Sequence, residues 1–132
     1  MTVAIRLWLA VVLLAVAAPA KAVDAFAPVA ADAVDLDALR WHARPVIVFA
    51  DTPEDPAFVE QMALLAARWP ELAARGVVVI TDTDPAAQGA IRQQLRPRGF
   101  ALVVIDRDGR VAQRKPFPWD VRELGRAIDR MR

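Results

Sequence analysis

The segment RPVIVFADTPEDP, residues 44–56, holds two patterns back to back. Val46 to Ala50 is a continuous apolar run with β-branched residues, the pattern of a strand covered on both faces. Asp51 to Pro56 then offers capping side chains, prolines suited to a first helical position and acids for a first turn, so a helix is expected to begin there. Beyond it Phe58, Met62, Leu65, Trp69 and Leu72 recur at alternating steps of four and three, which marks one buried helical stripe. Pro70 should bend or interrupt that helix near Trp69. Gly76 ends it, and Val77 to Ile80 reads as a second buried strand.

The same alternation continues to the C-terminus. Asp84-Pro85 is expected to cap a second helix running to about Leu95, which Arg96-Pro97-Arg98-Gly99 breaks. Phe100 to Ile105 is a third apolar strand, and Asp106-Arg107-Asp108-Gly109 has the chemistry of a tight turn closed by a left-handed glycine. Arg110 to Lys115 alternates in polarity as an edge strand does. Val121, Leu124, Ile128 and Met131 mark one face of a final helix. The order is strand-helix-strand-helix-strand-strand-helix. A helix between two strands requires a parallel pair with a right-handed crossover, and the turn at Gly109 requires an antiparallel pair. The expected fold is therefore α/β with a thioredoxin-like core, a mixed four-stranded sheet with helices on both faces. Residues 36–132 form this domain. Residues 23–35, rich in alanine and aspartate, read as a loose arm, and Leu36, Leu39 and Trp41 as a short turn packed against the domain.

Residues 1–22 have a different character. Arg6 precedes the apolar run Leu7 to Ala18, and Pro19 leads to the small-residue pattern Ala20-Lys21-Ala22, the layout of a cleavable secretory signal. The apolar run is shorter than the roughly 20 residues a bilayer requires. The protein is thus expected to be exported, to the periplasm or the cell exterior, without stable membrane insertion after cleavage. Cysteine, serine, asparagine and tyrosine are absent throughout, which excludes disulfides, thiol redox chemistry, serine or cysteine nucleophiles and thiolate-bound zinc.

The whole chain has 17 Lys and Arg against 16 Asp and Glu. Losing residues 1–22 removes Arg6 and Lys21 and no acid, leaving a net charge of −1. That near-neutral balance, together with export, argues against nucleic-acid binding. The charge is unevenly spread, with acids concentrated between Val23 and Glu60 and basic residues between Ile91 and Arg132.

Arg44-Pro45 opening a strand through Phe49-Ala50, Gln61, Leu65, Arg75 before Val77 to Ile80, Leu95-Arg96, Gly99-Phe100, Asp108-Gly109, Arg114, Ile128-Asp129 and Met131 together resemble the bacterial domain of unknown function 4174 family. The resemblance runs from about Leu36 to the C-terminus. It implies export and a thioredoxin-like fold, and it supplies no catalytic residue. Where that family often has a glycine opening the hairpin turn, this chain has Asp106.

Redox thioredoxins carry paired cysteines between the first strand and the first helix, the place of Asp51 to Pro56 here, and a cis-proline before the third strand, where Arg98-Gly99 stands. His42, the sole histidine, has no second histidine to complete a metal site and no serine or cysteine to activate. Asp82-x-Asp84 and Asp106-x-Asp108-Gly109 lack the other ligands of a calcium loop and suit turns and caps. No cofactor, metal site or catalytic residue is assigned. The candidate binding residues are Asp51, Thr52 and Asp55 at the helix start, Arg98 expected to bridge Asp51, and Arg114, Lys115 and Trp119 at the edge strand, where cations and aromatics can pair. The expected role is that of a monomeric, noncatalytic module for a protein or anionic-surface partner. The alternative is a cysteine-independent enzyme acting on a small anionic substrate through carboxylates and arginines.

Overall fold

The central strand β2 (Arg44–Phe49) is buried along nearly its whole length, and the sheet is built outward from it. The computed structural model describes residues 25–131. The expected signal, residues 1–22, lies outside them. The other strands are β1 (Val29–Ala30), β3 (Val77–Asp82), β4 (Ala101–Ile105) and β5 (Val111–Lys115), in the sheet order β1-β3-β2-β4-β5. β2 runs parallel to β3, with Ile47 opposite Ile80, and antiparallel to β4, with Phe49 opposite Ala101. The hairpin pairs β4 with β5, Leu102 opposite Lys115 and Val103 opposite Arg114.

Side chains alternate across a strand, so β2 feeds two cores. Val46 and Val48 join Leu65, Trp69, Leu72, Leu102, Val104, Leu124 and Ile128 beneath α2 (Pro56–Ala67), α3 (Trp69–Ala73) and α5 (Val121–Arg130). Ile47 and Phe49 join Ile80, Val103, Ile105, Ile91 and Leu95 on the opposite face, beneath α4 (Ala90–Leu95), with Leu36 and Leu39 of α1 (Leu36–Leu39) packed against them. Helices cover both faces, as the two-sided apolar strands require.

Three expectations are corrected. The sheet has five strands, because Val29–Ala30 of the expected loose arm pairs in parallel with Ile80 and Thr81. Two residues carry no periodicity, and what selects them is the open edge of β3, whose backbone groups need partners. The expected second helix from Asp84 is a 3-10 turn, Pro85–Ala87, followed by the left-handed Gln88 (φ 47°) and then α4. Asp84 caps nothing with its side chain; instead its N–H donates to Asp82 Oδ1 at 3.1 Å. Trp41 does not pack against the domain but is 65 % exposed, at φ 68°, with its N–H donating to the Arg107 carbonyl at 2.8 Å.

Local chemistry explains the other boundaries. Asp55 caps α2 by accepting the Ala57 N–H at 2.9 Å. The helix stops at Ala67, since Pro70 has no N–H to continue it, and restarts as α3. At the hairpin, Gly109 takes φ 86°, and Asp106 accepts the Arg110 N–H with its carboxylate at 2.8 Å. That bond gives Asp106 a role at the turn opening that a glycine lacks.

Candidate functional site

Several polar side chains are consumed in holding the elements together. Gln61 is fully buried on α2, donates from Nε2 to the Trp119 carbonyl at 3.0 Å and accepts the Trp119 N–H at 2.7 Å. Arg44 donates from Nη1 to the Ile128 carbonyl at 2.8 Å. Arg75 makes a two-pronged contact with Asp129, at 2.8 and 3.1 Å, and donates to the Glu71 carbonyl at 2.7 Å. The hydrogen bond from Arg75 holds the Asp129 carboxyl below its ordinary range and raises Arg75 in turn.

Arg92 is a further pin, and its identity as a pin was not legible in the helical pattern. From α4 it bonds both carboxylate oxygens of Asp82, at 3.0 and 3.2 Å, and the carbonyls of Asp82 and Ala50, both at 3.1 Å. Its guanidinium also lies 5.3 Å from the centroid of the Phe49 ring. The pair is nearly buried, with side-chain exposures of 11 % and 9 %. It ties the ends of β2 and β3 to α4 and neutralises Asp82, which lines the neighbouring cleft beside β1 together with Asp32 and Asp84. A second cleft, at the opposite end of the strands, contains Arg44, Arg75, Arg107 and Asp129, but Arg75 and Asp129 are spent on each other there.

The candidate binding residues separate into three places. Asp51 and Thr52 are exposed beyond β2; Thr52 shares hydrogen bonds with Glu54, and Asp55 is occupied as the α2 cap. The end of β2 does lie beside the start of β4, yet the expected Asp51–Arg98 bridge is not among the ion pairs of the described residues. The left-handed Gly99 (φ 57°) turns the chain between Arg98 and β4, and an exposed pair would gain too little to override that turn. Lys115 lies with its Nζ 4.9 Å from the Trp119 ring centroid, the expected cation and aromatic pair. Arg114 and Lys115 are on opposite faces of the sheet, because their partners Val103 and Leu102 belong to opposite cores.

Arg98 and Arg114 meet elsewhere. An open groove of about 340 Å³ lies between the end of α4, the start of β4 and the end of β5, lined by Arg96, Arg98, Phe100, Ala101, Arg114 and Pro116. No acidic side chain lines it. Arg114 is anchored by donating from Nη2 to the Leu95 carbonyl at 2.7 Å. Arg96 and Arg98 make no side-chain hydrogen bond or ion pair among the described residues, and both are exposed. Arg96 closes α4 in the left-handed region, at φ 49°. Sequence reasoning singled out Arg98 as a binding candidate but treated Arg96 only as part of a helix breaker. The two arginines flanking Pro97 at one helix break were the signal that Arg96 belonged with Arg98.

Comparison with known families bears on the same residues. The family model described as "Domain of unknown function (DUF4174)" matches residues 35–132. The chain belongs to the DUF4174 family. No curated protein matches it. Within this DUF4174 domain several of the residues that carried the sequence resemblance have polar or groove roles. Arg44, Gln61, Arg75, Ile128 and Asp129 supply the pins described above. Arg96, Phe100 and Arg114 line the arginine groove.

Proposed function

We propose that this DUF4174 domain is an exported, noncatalytic binding module of thioredoxin-like architecture that holds an anionic group of its partner in the arginine groove. The observation that carries the reading is the set Arg96, Arg98 and Arg114 converging on one groove without an acidic residue in its lining. Guanidinium forks bind oxyanions in a two-pronged manner. The groove presents no carboxylate to act as base or nucleophile, so its geometry favours holding an anion over transforming one. A parallel pair beside an antiparallel hairpin, with helices on both faces, supports the thioredoxin-like reading. Export rests on the tripartite N-terminal pattern.

The test is an NMR titration of the purified protein with inorganic phosphate. Saturable, salt-sensitive shifts are expected at Phe100, Ala101 and the three arginine side chains; Arg98→Ala should abolish them at a nearly unchanged melting temperature, and Arg114→Ala should abolish them with a modest fall, since it also removes the bond to the Leu95 carbonyl. Shifts scattered over the surface, or unaffected by both substitutions, would remove the groove as the binding site. Intact-mass measurement of the exported protein should give a chain beginning at Val23.

A further inference from the structure

The groove's other lining says more about what fits it. Half of the lining residues are the arginines, and the remainder, Phe100, Ala101 and Pro116, have no side-chain group that hydrogen-bonds. At about 340 Å³ the groove falls at the lower end of the size range of small-molecule sites. Phe100 and Ala101 are only 8 % and 5 % exposed, Phe100 being packed in the core under α2 and α5, so the exposed Pro116 is the part of the apolar wall that a bare inorganic anion would leave wet. All three cations are arginines, whose planar groups also stack on flat ligand faces, as a lysine ammonium does not.

The backbone contributes a separate observation. Arg96 occupies the left-handed position that ends α4, a place where glycine or asparagine is favoured and an arginine is strained. Trp41 (φ 68°) and Gln88 (φ 47°) share this conformation, so the strain alone marks no site; only at Arg96 does it coincide with the groove. Here it sets the side chain on the rim of the groove, across from Arg114, which is already oriented by the Leu95 carbonyl.

Building on the anion-binding reading, we propose that the ligand is an organic oxyanion, a phosphate ester or carboxylate borne on a flat apolar body, with the oxyanion on the arginines and the body against Pro116 and the exposed edge of Phe100. Phenyl phosphate, benzoate, inorganic phosphate and benzyl alcohol separate the parts of this claim in NMR or calorimetric titrations of the purified protein. Phenyl phosphate or benzoate should bind at least about tenfold more tightly than inorganic phosphate, the gain expected from removing part of a ring from water. Whichever of the two is tighter identifies the oxyanion. Benzyl alcohol should show no saturable binding. Arg96→Gly should weaken phenyl phosphate binding while keeping or raising the melting temperature, since it relieves the left-handed strain. Inorganic phosphate binding as tightly as phenyl phosphate would overturn the proposal and leave the anion-binding module standing. Equal binding of benzyl alcohol would overturn it in favour of a merely apolar slot, and a fall in melting temperature with Arg96→Gly would make Arg96 a structural cap. Binding of none of the four probes would defeat both readings.

Discussion

Replacing Gln61 with methionine keeps most of the side-chain volume and removes two hydrogen bonds at once. Gln61 has no exposed surface, and both its amide atoms are bonded to the backbone of Trp119, at 3.0 and 2.7 Å. Each such bond contributes about 1 kcal/mol net, and a donor or acceptor left without a partner costs about 1–3 kcal/mol. The Trp119 segment is partly buried, so some rehydration is available to it, and the expected loss for Gln61→Met is about 2–4 kcal/mol. Gln61→Ala should lose about 1–2 kcal/mol more, because it also opens a cavity. For a domain of this size the methionine variant should melt roughly 10–20 °C lower. Near-UV circular dichroism should change as well, since the segment that Gln61 fixes carries Trp119 and its contact with Lys115. Urea denaturation of the wild type and both variants supplies the numbers. A methionine variant within about 0.5 kcal/mol of wild type, at unchanged m-value, would refute the claim that this pair of bonds fastens the β5–α5 connection to the core.

Other substitutions probe the remaining pins. Arg92→Met leaves the Asp82 carboxylate nearly buried without its partner and should cost about 3–5 kcal/mol, whereas adding Asp82→Asn should recover part of that loss; a denaturation cycle in which the two changes simply add would contradict the coupling. Gly109→Ala forces φ 86° on a residue with a side chain and sets its Cβ 2.8 Å from Arg40 Nε, so it should destabilise by about 1–2 kcal/mol, mostly through the backbone because the guanidinium can swing aside. Gly76→Ala, at φ 72° with open space around the Cβ, should show the backbone cost alone, and near-neutral melting curves for both would speak against these turns. Asp129 should titrate below the ordinary Asp value of about 3.9 in carboxyl-detected NMR and return towards it in Arg75→Gln. Because folding lowers this pKa, its contribution to stability is present above that ordinary value and disappears as pH falls through the folded one; a difference between wild type and Asp129→Asn that grows on acidification would reverse the sign and refute the pairing.

What could be read in the sequence was whatever depends on neighbours along the chain. The two-sided apolar runs at Val46–Ala50, Val77–Ile80 and Phe100–Ile105 identify central strands, because a strand covered on both faces has no polar alternation. The steps of four and three from Phe58 to Leu72 mark a helix face, Pro70 its interruption, and Asp108-Gly109 the left-handed turn, since each is a local matter of side-chain spacing or backbone sterics. Tertiary structure decided the features that join distant residues. Val29–Ala30 is a strand only because β3 has an open edge, and no two-residue pattern could have announced it. Gln61 looked like an ordinary polar helix position until Trp119, far along the chain, supplied both its partners. Arg92 became a buried clamp, and not a solvated helix charge, because the ends of β2 and β3 lie side by side beneath α4. Arg98 illustrates the same division at the candidate site. Antiparallel pairing placed the β4 start beside the end of β2, as topology required, but the turn at Gly99 and the end of β5 determined that its neighbours along the groove are Arg96 and Arg114 and that no ion pair forms with Asp51. Spacing along a chain sets which face a residue occupies, whereas partners across space depend on how those faces are packed, and only the packed sheet brings three arginines to one groove.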